Sequence, residues 1–200
     1  MIRLCFASNN KHKLEEIRQA LSDNRRIVGG HVDLLSLNDI KCFEELPETR
    51  DTMEGNSLQK ASYVFDHYHI PCFADDSGLE VEALKGAPGV YSARYAGAHR
   101  SDADNIDLLL KNLYGDTNRR ARFRSVITLV GLDEKPVYFE GIIPGTIIAA
   151  RRGTGGFGYD PVFVPEGHSR TFAEMSLEEK NAMSHRAIAV RKLADYLQGR

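Results

Sequence analysis

Apolar residues along this chain change rhythm repeatedly, and each change predicts an element. Residues 2–7, apolar except at Arg3, look like a buried strand; after Ser8, Asn9 and Asn10 the apolar positions Leu14, Ile17 and Leu21 take up helical spacing. Asp51 and Glu54 stand at capping-box spacing, and Leu58, Ala61 and Phe65 continue as one helical stripe. Asn56 and Lys60 share another face of that helix, one turn apart. Residues 72–74 read as a short strand that breaks into a turn, and Ile106, Leu109, Leu110 and Leu113 mark a helix stopped at Gly115. Residues 123–130 and 137–143, separated by Asp133, Glu134, Lys135 and Pro136, read as a hairpin with a third strand near 146–150. Ser176 and Glu179 form a second capping box, and Val190, Leu193, Ala194 and Leu197 put an apolar stripe on the last helix. The order predicts an α/β or α+β layered fold on a mixed sheet.

Composition narrows the partners. Two hundred residues suit one domain over 1–200, or one domain with two lobes. A formal charge of -2 supplies no global attraction for nucleic acid or anionic membrane, so an anion site has to be built locally from a few Lys and Arg. Cys5, Cys42 and Cys72 are odd in number and lack CxxC spacing, which fits a reducing cytoplasm with buried thiols and no structural zinc. The first apolar stretch is too short for a signal peptide, and no run approaches the ~18 residues of a membrane span. The basic run Arg119, Arg120, Arg122 and Arg124 reads as a solvated strand edge.

Four segments carry candidate chemistry. Ser8, Asn9, Asn10, Lys11, His12 and Lys13 form a polar loop entering a helix, where free N–H groups, the dipole and two lysines favour an anion; an ordinary Asn cap followed by surface lysines fits equally. Asp75 and Asp76 are adjacent carboxylates, which need a cation or a shared proton if held together, and otherwise form a solvated Asp-Asp-Ser-Gly turn. With Glu48 they offer a donor set for magnesium, which takes one or two carboxylates and completes its octahedron with water and phosphate. The segment 153–161 contains GxGxxG, yet Pro161 and the apolar residues 162–164 predict a strand, so a dinucleotide-binding helix is rejected. Its Phe157, Gly158, Tyr159 and Asp160 suit stacking on a flat ring and bonding its edge, or a plain hairpin with core aromatics. Lys180, His185 and Arg186 complete the set. His185 and Arg186 are neighbours, so both point into one pocket only if the helix breaks there.

These motifs, SNNKHK at 8–13, LPET at 46–49, EGNSLQKA at 54–61, ADDSGLEVEALKGAPGVYSARYAG at 74–97, GTGGFGYDPVF at 153–163 and EEKNAMSHR at 178–186, resemble the inosine/xanthosine triphosphate pyrophosphatases nearly end to end. The resemblance implies an elongated α/β fold with two lobes about a long mixed sheet flanked by helices, a central nucleotide cleft, and a cytoplasmic homodimer. It implies hydrolysis of nonstandard purine nucleoside triphosphates (ITP, dITP, XTP) to monophosphate and pyrophosphate, which keeps deaminated purines out of nucleic acid. Residue by residue, it implies that Ser8 to Lys13 and Lys60 hold the phosphates and that Glu48 and Asp76 serve Mg2+. Asp76 would be the base for the attacking water and Ser77 a substrate contact. Phe157, Gly158, Tyr159 and Asp160 would sandwich the base, with Lys180, His185 and Arg186 closing the other side. No nucleic-acid or membrane partner is implied. Arg50-Asp51 and Ser57 depart from the usual pattern, at none of the charged site positions.

Overall fold

A computed structural model gives the fold over residues 2–23 and 32–199. Its elements alternate as the sequence rhythm predicts: β1 (Ile2–Phe6), α1 (Lys11–Asp23), β2 (Val32–Leu35), α2 (Met53–Tyr68), β3 (Cys72–Val81), α3 (Asp102–Asn112), β4 (Arg120–Val130), β5 (Val137–Ile147), β6 (Phe163–Pro165), α4 (Leu177–Met183) and α5 (His185–Gln198). The strands pair in the order β2-β1-β3-β4-β5-β6. β1 runs parallel to β2 and β3, and β6 runs antiparallel to β5, so the sheet is mixed.

The chain divides into two compact units, one formed by Met1–Asp76, Ser125–Gly141 and Arg186–Arg200, the other by Ser77–Arg124 and Ile142–His185. In the first unit the strands are apolar on both faces because both are covered. Leu4, Phe6 and Phe73 pack with Ile17 of α1 and Val190, Leu193 and Ala194 of α5. The alternate residues Cys5, Ala7, Cys72 and Ala74 pack with Ala61 and Val64 of α2. A period of two thus sorts one continuous run into two cores. In the second unit one face carries Leu79, Val81, Phe123, Ile147 and Phe163 against Ile106, Leu109 and Leu113 of α3. The residues between them are charged: Arg122 pairs with Glu80 at 2.6 Å and Arg120 with Glu82 at 2.9 Å, so the basic run is a charge-balanced sheet surface.

Three boundaries differ from expectation. β3 does not turn at Asp75; it continues to Val81, and burial of Asp75 and Asp76 among cations is what allows charged residues inside a strand. Within the stretch that continues, Gly78 is required by packing, since a Cβ there would lie 2.1 Å from the Gly89 carbonyl oxygen. α2 is capped by Thr52, whose hydroxyl accepts from Gly55 N at 3.0 Å, one residue later than the Asp51–Glu54 box. The separate strand near 146–150 is absent among the described residues, because β5 runs unbroken to Ile147. The Ser176–Glu179 box forms as predicted and starts α4.

Candidate active site

In the first unit the ends of three elements meet around β3. The loop after β1 is organised by its own asparagines: Asn10 Oδ1 accepts from Lys13 N at 3.1 Å and caps α1, while Asn9 bonds the backbone of Glu44 and Leu46 at 3.1 and 3.0 Å. Ser8 accepts from Asn10 N at 3.2 Å. Lys11 and His12 are exposed; Lys13 turns inward and reaches Asp75 at 3.2 Å. From α2, Lys60 donates to Glu48 Oε1 and to the Asp75 carbonyl oxygen, the latter at 2.8 Å, and Asn56 donates to Asp76 Oδ2 at 3.1 Å. Arg186, at the first turn of α5, donates to Glu16 on α1 and, at 3.1 Å, to Asp75.

The two neighbouring aspartates live in opposite fields. Burial would push the Asp75 carboxyl up, but Lys13, Arg186 and Lys60 outweigh it and hold Asp75 well below the usual carboxylate range. Burial also pushes up Asp76, and Glu48 adds to the push; Lys60, Lys13 and the Asn56 bond do not cancel it, so Asp76 holds its proton more tightly than a free aspartate. Lys60 stays charged because Asp76, Glu48 and Asp75 overcome its burial, whereas burial and its cationic neighbours Lys60 and Arg186 lower Lys13. Among the described residues of this cluster, the four carboxylates Glu16, Glu48, Asp75 and Asp76 face the three cations Lys13, Lys60 and Arg186.

In the second unit the glycine-rich segment ends in a short 3-10 turn at Asp160–Val162 and then β6, the arrangement that excludes a dinucleotide fingerprint. Asp160 Oδ2 accepts from Phe157 N at 3.0 Å and from Lys180 Nζ at 2.5 Å, and the ammonium lies 4.9 Å from the Phe157 ring centre. Gly156 has φ +70 and a Cβ there would sit 2.0 Å from Asp160 Oδ2, so glycine is needed both for the backbone and for the carboxylate. Gly158 N donates to Asp102 Oδ2 at 2.7 Å. Tyr159 is buried, and its hydroxyl donates to the Ser92 carbonyl oxygen at 2.9 Å. A break falls before His185, so His185 and Arg186 stay consecutive in one helix, α5. Ser184 caps α4 in extended conformation, and His185 stacks on Phe123 with ring centres 4.8 Å apart.

A family model described as the Ham1 family matches residues 4–196 of this chain. The chain belongs to the Ham1 family. Its curated relatives include a dITP/XTP pyrophosphatase of Flavobacterium johnsoniae, 51% identical with 98% of each chain covered, and one of Porphyromonas gingivalis, 52% identical over the same shares. A Ham1 protein from Coxiella burnetii superposes with a TM-score of 0.88 at 36% identity, covering 100% of both chains. A dITP/XTP pyrophosphatase from Mycobacterium abscessus reaches 0.74 at 44% identity, covering 96% of this chain and 97% of that one.

Within this Ham1 fold the predicted residues sort by unit. Ser8, Asn9, Asn10, Lys13, Glu48, Lys60 and Asp76 fall in the first; Ser77, Phe157, Gly158, Tyr159, Asp160, Lys180 and His185 fall in the second. The Tyr159 hydroxyl bonds Ser92, and the Arg186 guanidinium is engaged by Glu16 and Asp75. Sequence reasoning missed Glu16, whose polarity on a helix flank gives no sign of burial. It left the role of Asp75 open. It noted Asn56 for its face but gave it no partner; the i, i+4 pairing with Lys60 was the available signal.

Proposed function

We propose that this Ham1-family protein hydrolyses the α–β phosphoanhydride of nonstandard purine nucleoside triphosphates (ITP, dITP, XTP), releasing the monophosphate and pyrophosphate and so clearing deaminated purines from the nucleotide pool. The observation that carries the reading is the partly buried group of Lys13, Lys60, Glu48 and Asp76, a cationic and carboxylate pairing suited to a triphosphate, in a chain half identical to dITP/XTP pyrophosphatases.

Asp76 is the group we assign to the attacking water. The water oxygen forms a bond to the α-phosphorus, the bond to the bridging oxygen breaks, pyrophosphate leaves with the electron pair, and the proton passes to the Asp76 carboxylate. The raised proton affinity of Asp76 suits that acceptance, a role typically worth 10²–10⁴-fold. Lys13 and Lys60, with Ser8, Asn9, Asn10, Lys11 and His12 at the start of α1, are assigned to phosphate charge and in-line positioning.

A divalent ion fits the same residues. Among the described residues no three His, Cys, Asp or Glu form a cage, so the donors are Glu48 and Asp76, and Glu48 opposes the ionisation of Asp76. That is the donor count magnesium uses when phosphates and water complete its shell. When bound, Mg2+ supplies charge neutralisation on the phosphates.

Phe157, Gly158 and Tyr159, with Asp160, Lys180, His185 and Ser77, are assigned to the nucleoside end, Arg186 to both the network and the base. A donor such as Lys180 meets the 6-oxo acceptor of hypoxanthine and xanthine but opposes the amino donor of adenine, the type of mismatch that rejects by ~10⁴–10⁵. A cytoplasmic homodimer without nucleic-acid partner completes the proposal; the pairing of Arg120 and Arg122 with Glu82 and Glu80 supports its last part. The test is pyrophosphate release from a panel of inosine, xanthosine, guanosine, adenosine, thymidine and uridine triphosphates with and without Mg2+. Cleavage of the inosine and xanthosine forms far ahead of the rest is expected. Release from none of them would leave a nucleotide-binding protein without this chemistry.

A further inference from the structure

Loop 48–50 is not held by Lys60 alone. One face of α2 reads three successive residues of it. Lys60 takes the Glu48 carboxylate, Gln59 bonds Thr49 three times (Oε1 from the backbone N at 2.9 Å and from Oγ1 at 3.3 Å, Nε2 to Oγ1 at 2.9 Å), and Asn56 Oδ1 accepts from Arg50 N at 2.8 Å. Positions 56, 59 and 60 are i, i+3 and i+4, so they stand together on a single turn. The other end of the Asn56 amide donates to Asp76 Oδ2 at 3.1 Å, and Asn56 is 1% exposed. A single buried carboxamide thus spans the segment that bears Glu48 and the strand that bears Asp76, with both its ends used.

We infer that Asn56, supported by Gln59, is a positioning residue that sets the spacing and aim of the Glu48 and Asp76 carboxylates toward a divalent cation. The inference rests on the metal and substrate reading proposed above. The amide touches no reacting atom. Its donor end selects which Asp76 oxygen it bonds, and its acceptor end removes the slack from the loop, the service that supporting hydrogen bonds perform for metal ligands, whose loss typically costs 10–100-fold in metal affinity or activity. An alanine at either position would leave Glu48 tethered by Lys60 but remove one of the two further holds on the loop.

The test uses the full-length chain with Asn56→Asp, which keeps an acceptor for Arg50 N and replaces the donor with a charge facing Asp76, and with Gln59→Ala, a change at a half-buried position that loosens the same loop while sparing the Asp76 bond. Mn2+ binding is read by water-proton relaxation with the uncleavable α,β-methylene analogue of inosine triphosphate present, alongside kcat and KM at saturating Mg2+. Asn56→Asp is expected to weaken Mn2+ roughly 10–100-fold and lower kcat with KM for nucleotide within about twofold; Gln59→Ala is expected to do the same more mildly. Metal affinity and kcat at the wild-type level in both variants would overturn the inference. A loss of nucleotide affinity with metal binding intact would overturn it too, by making the effect one on the nucleotide and not on the metal. If the unmodified protein neither binds Mn2+ nor releases pyrophosphate, the underlying reading fails first and carries this one down with it.

Discussion

Asp75 and Asp76 are one residue apart on the strand and differ in the sign of their surroundings. Asp75 is completely buried, ringed by Lys13, Lys60 and Arg186, and its charge is the anchor of that ring. Asp76 sits where its own ionisation is opposed by burial and by Glu48. Asp76→Asn is therefore expected to lower kcat at least roughly a hundredfold while the thermal midpoint stays at or above that of the parent, because the substitution removes a charge the site disfavours. Turnover near the parent level would take the base role from Asp76, and a midpoint several degrees lower would contradict the field described for it. Arg186→Ala carries the opposite signature. It takes the guanidinium away from the buried carboxylates of Glu16 and Asp75, a loss that costs about 3–5 kcal/mol and, at this chain length, a fall in midpoint on the order of 10 °C by calorimetry. A midpoint within a degree or two of the parent would show the pair to be dispensable. An inosine-to-adenosine preference unchanged in that variant would move base recognition wholly to residues such as Lys180 and Asp160.

Elements deliver these residues through their ends. α1 starts at an asparagine cap that turns Lys13 inward, α2 at Thr52, and α4 at the reciprocal Ser176–Glu179 box, reinforced by Arg170 on Glu179 at 2.5 Å. Ser176→Ala is expected to lose about 1 kcal/mol in urea unfolding and to raise KM more than it lowers kcat, since α4 carries Lys180; a kcat loss with KM intact would contradict that assignment. Gly156→Ala is expected to do more, because its Cβ would displace the Asp160 carboxylate from Lys180. How far these elements were legible depends on the information each signal encodes. Periodicity found α1, α2, α3 and α5 because their buried stripes repeat at 3.6 residues, and the Ser176 box is local chemistry that reads directly from two letters. It failed at β3, where Asp75 to Gly78 has the composition of a turn: the cations that make a charged strand tolerable come from residues 13, 60 and 186, distances along the chain at which no local pattern operates. The Asn56 amide was hidden for the same reason, and Tyr159 kept two readings because an aromatic suited to stacking on a base is equally suited to a core, where this ring packs. The sequence calls for a break only if His185 and Arg186 are to converge on one pocket; the break falls before both, and ordinary helical rotation in the first turn of α5 gives them different partners.

At the scale of the molecule, acid and alkali act on different parts. Asp75 binds protons more weakly folded than unfolded, so its contribution is present above the ordinary aspartate value of 3.8 and is lost as pH falls below it. The thiols work from the other side. Burial pushes Cys5 up to about 12 from 9.0 and raises Cys72 likewise, so above pH 9 the unfolded chain releases protons that the folded chain retains, and stability declines from there toward pH 12. Urea midpoints measured from about pH 3 to about pH 11 should form a plateau that slopes down at both ends. At about pH 8 the three buried thiols should react with a disulfide reagent at the rate of global opening, and rapid native-state labelling would contradict their burial.

The break between α4 and α5 has an evolutionary corollary. Ser184 is the single residue separating a helix that aims Lys180 at Asp160 from one that aims Arg186 at Glu16 and Asp75. Since each added helical residue rotates the downstream chain by about 100°, an insertion or deletion anywhere in this stretch would spin one side chain off its partners while leaving the other in place. Length variation is therefore closed to positions 180–186, and a chain engineered with one extra alanine after Ser184 should accumulate as insoluble protein.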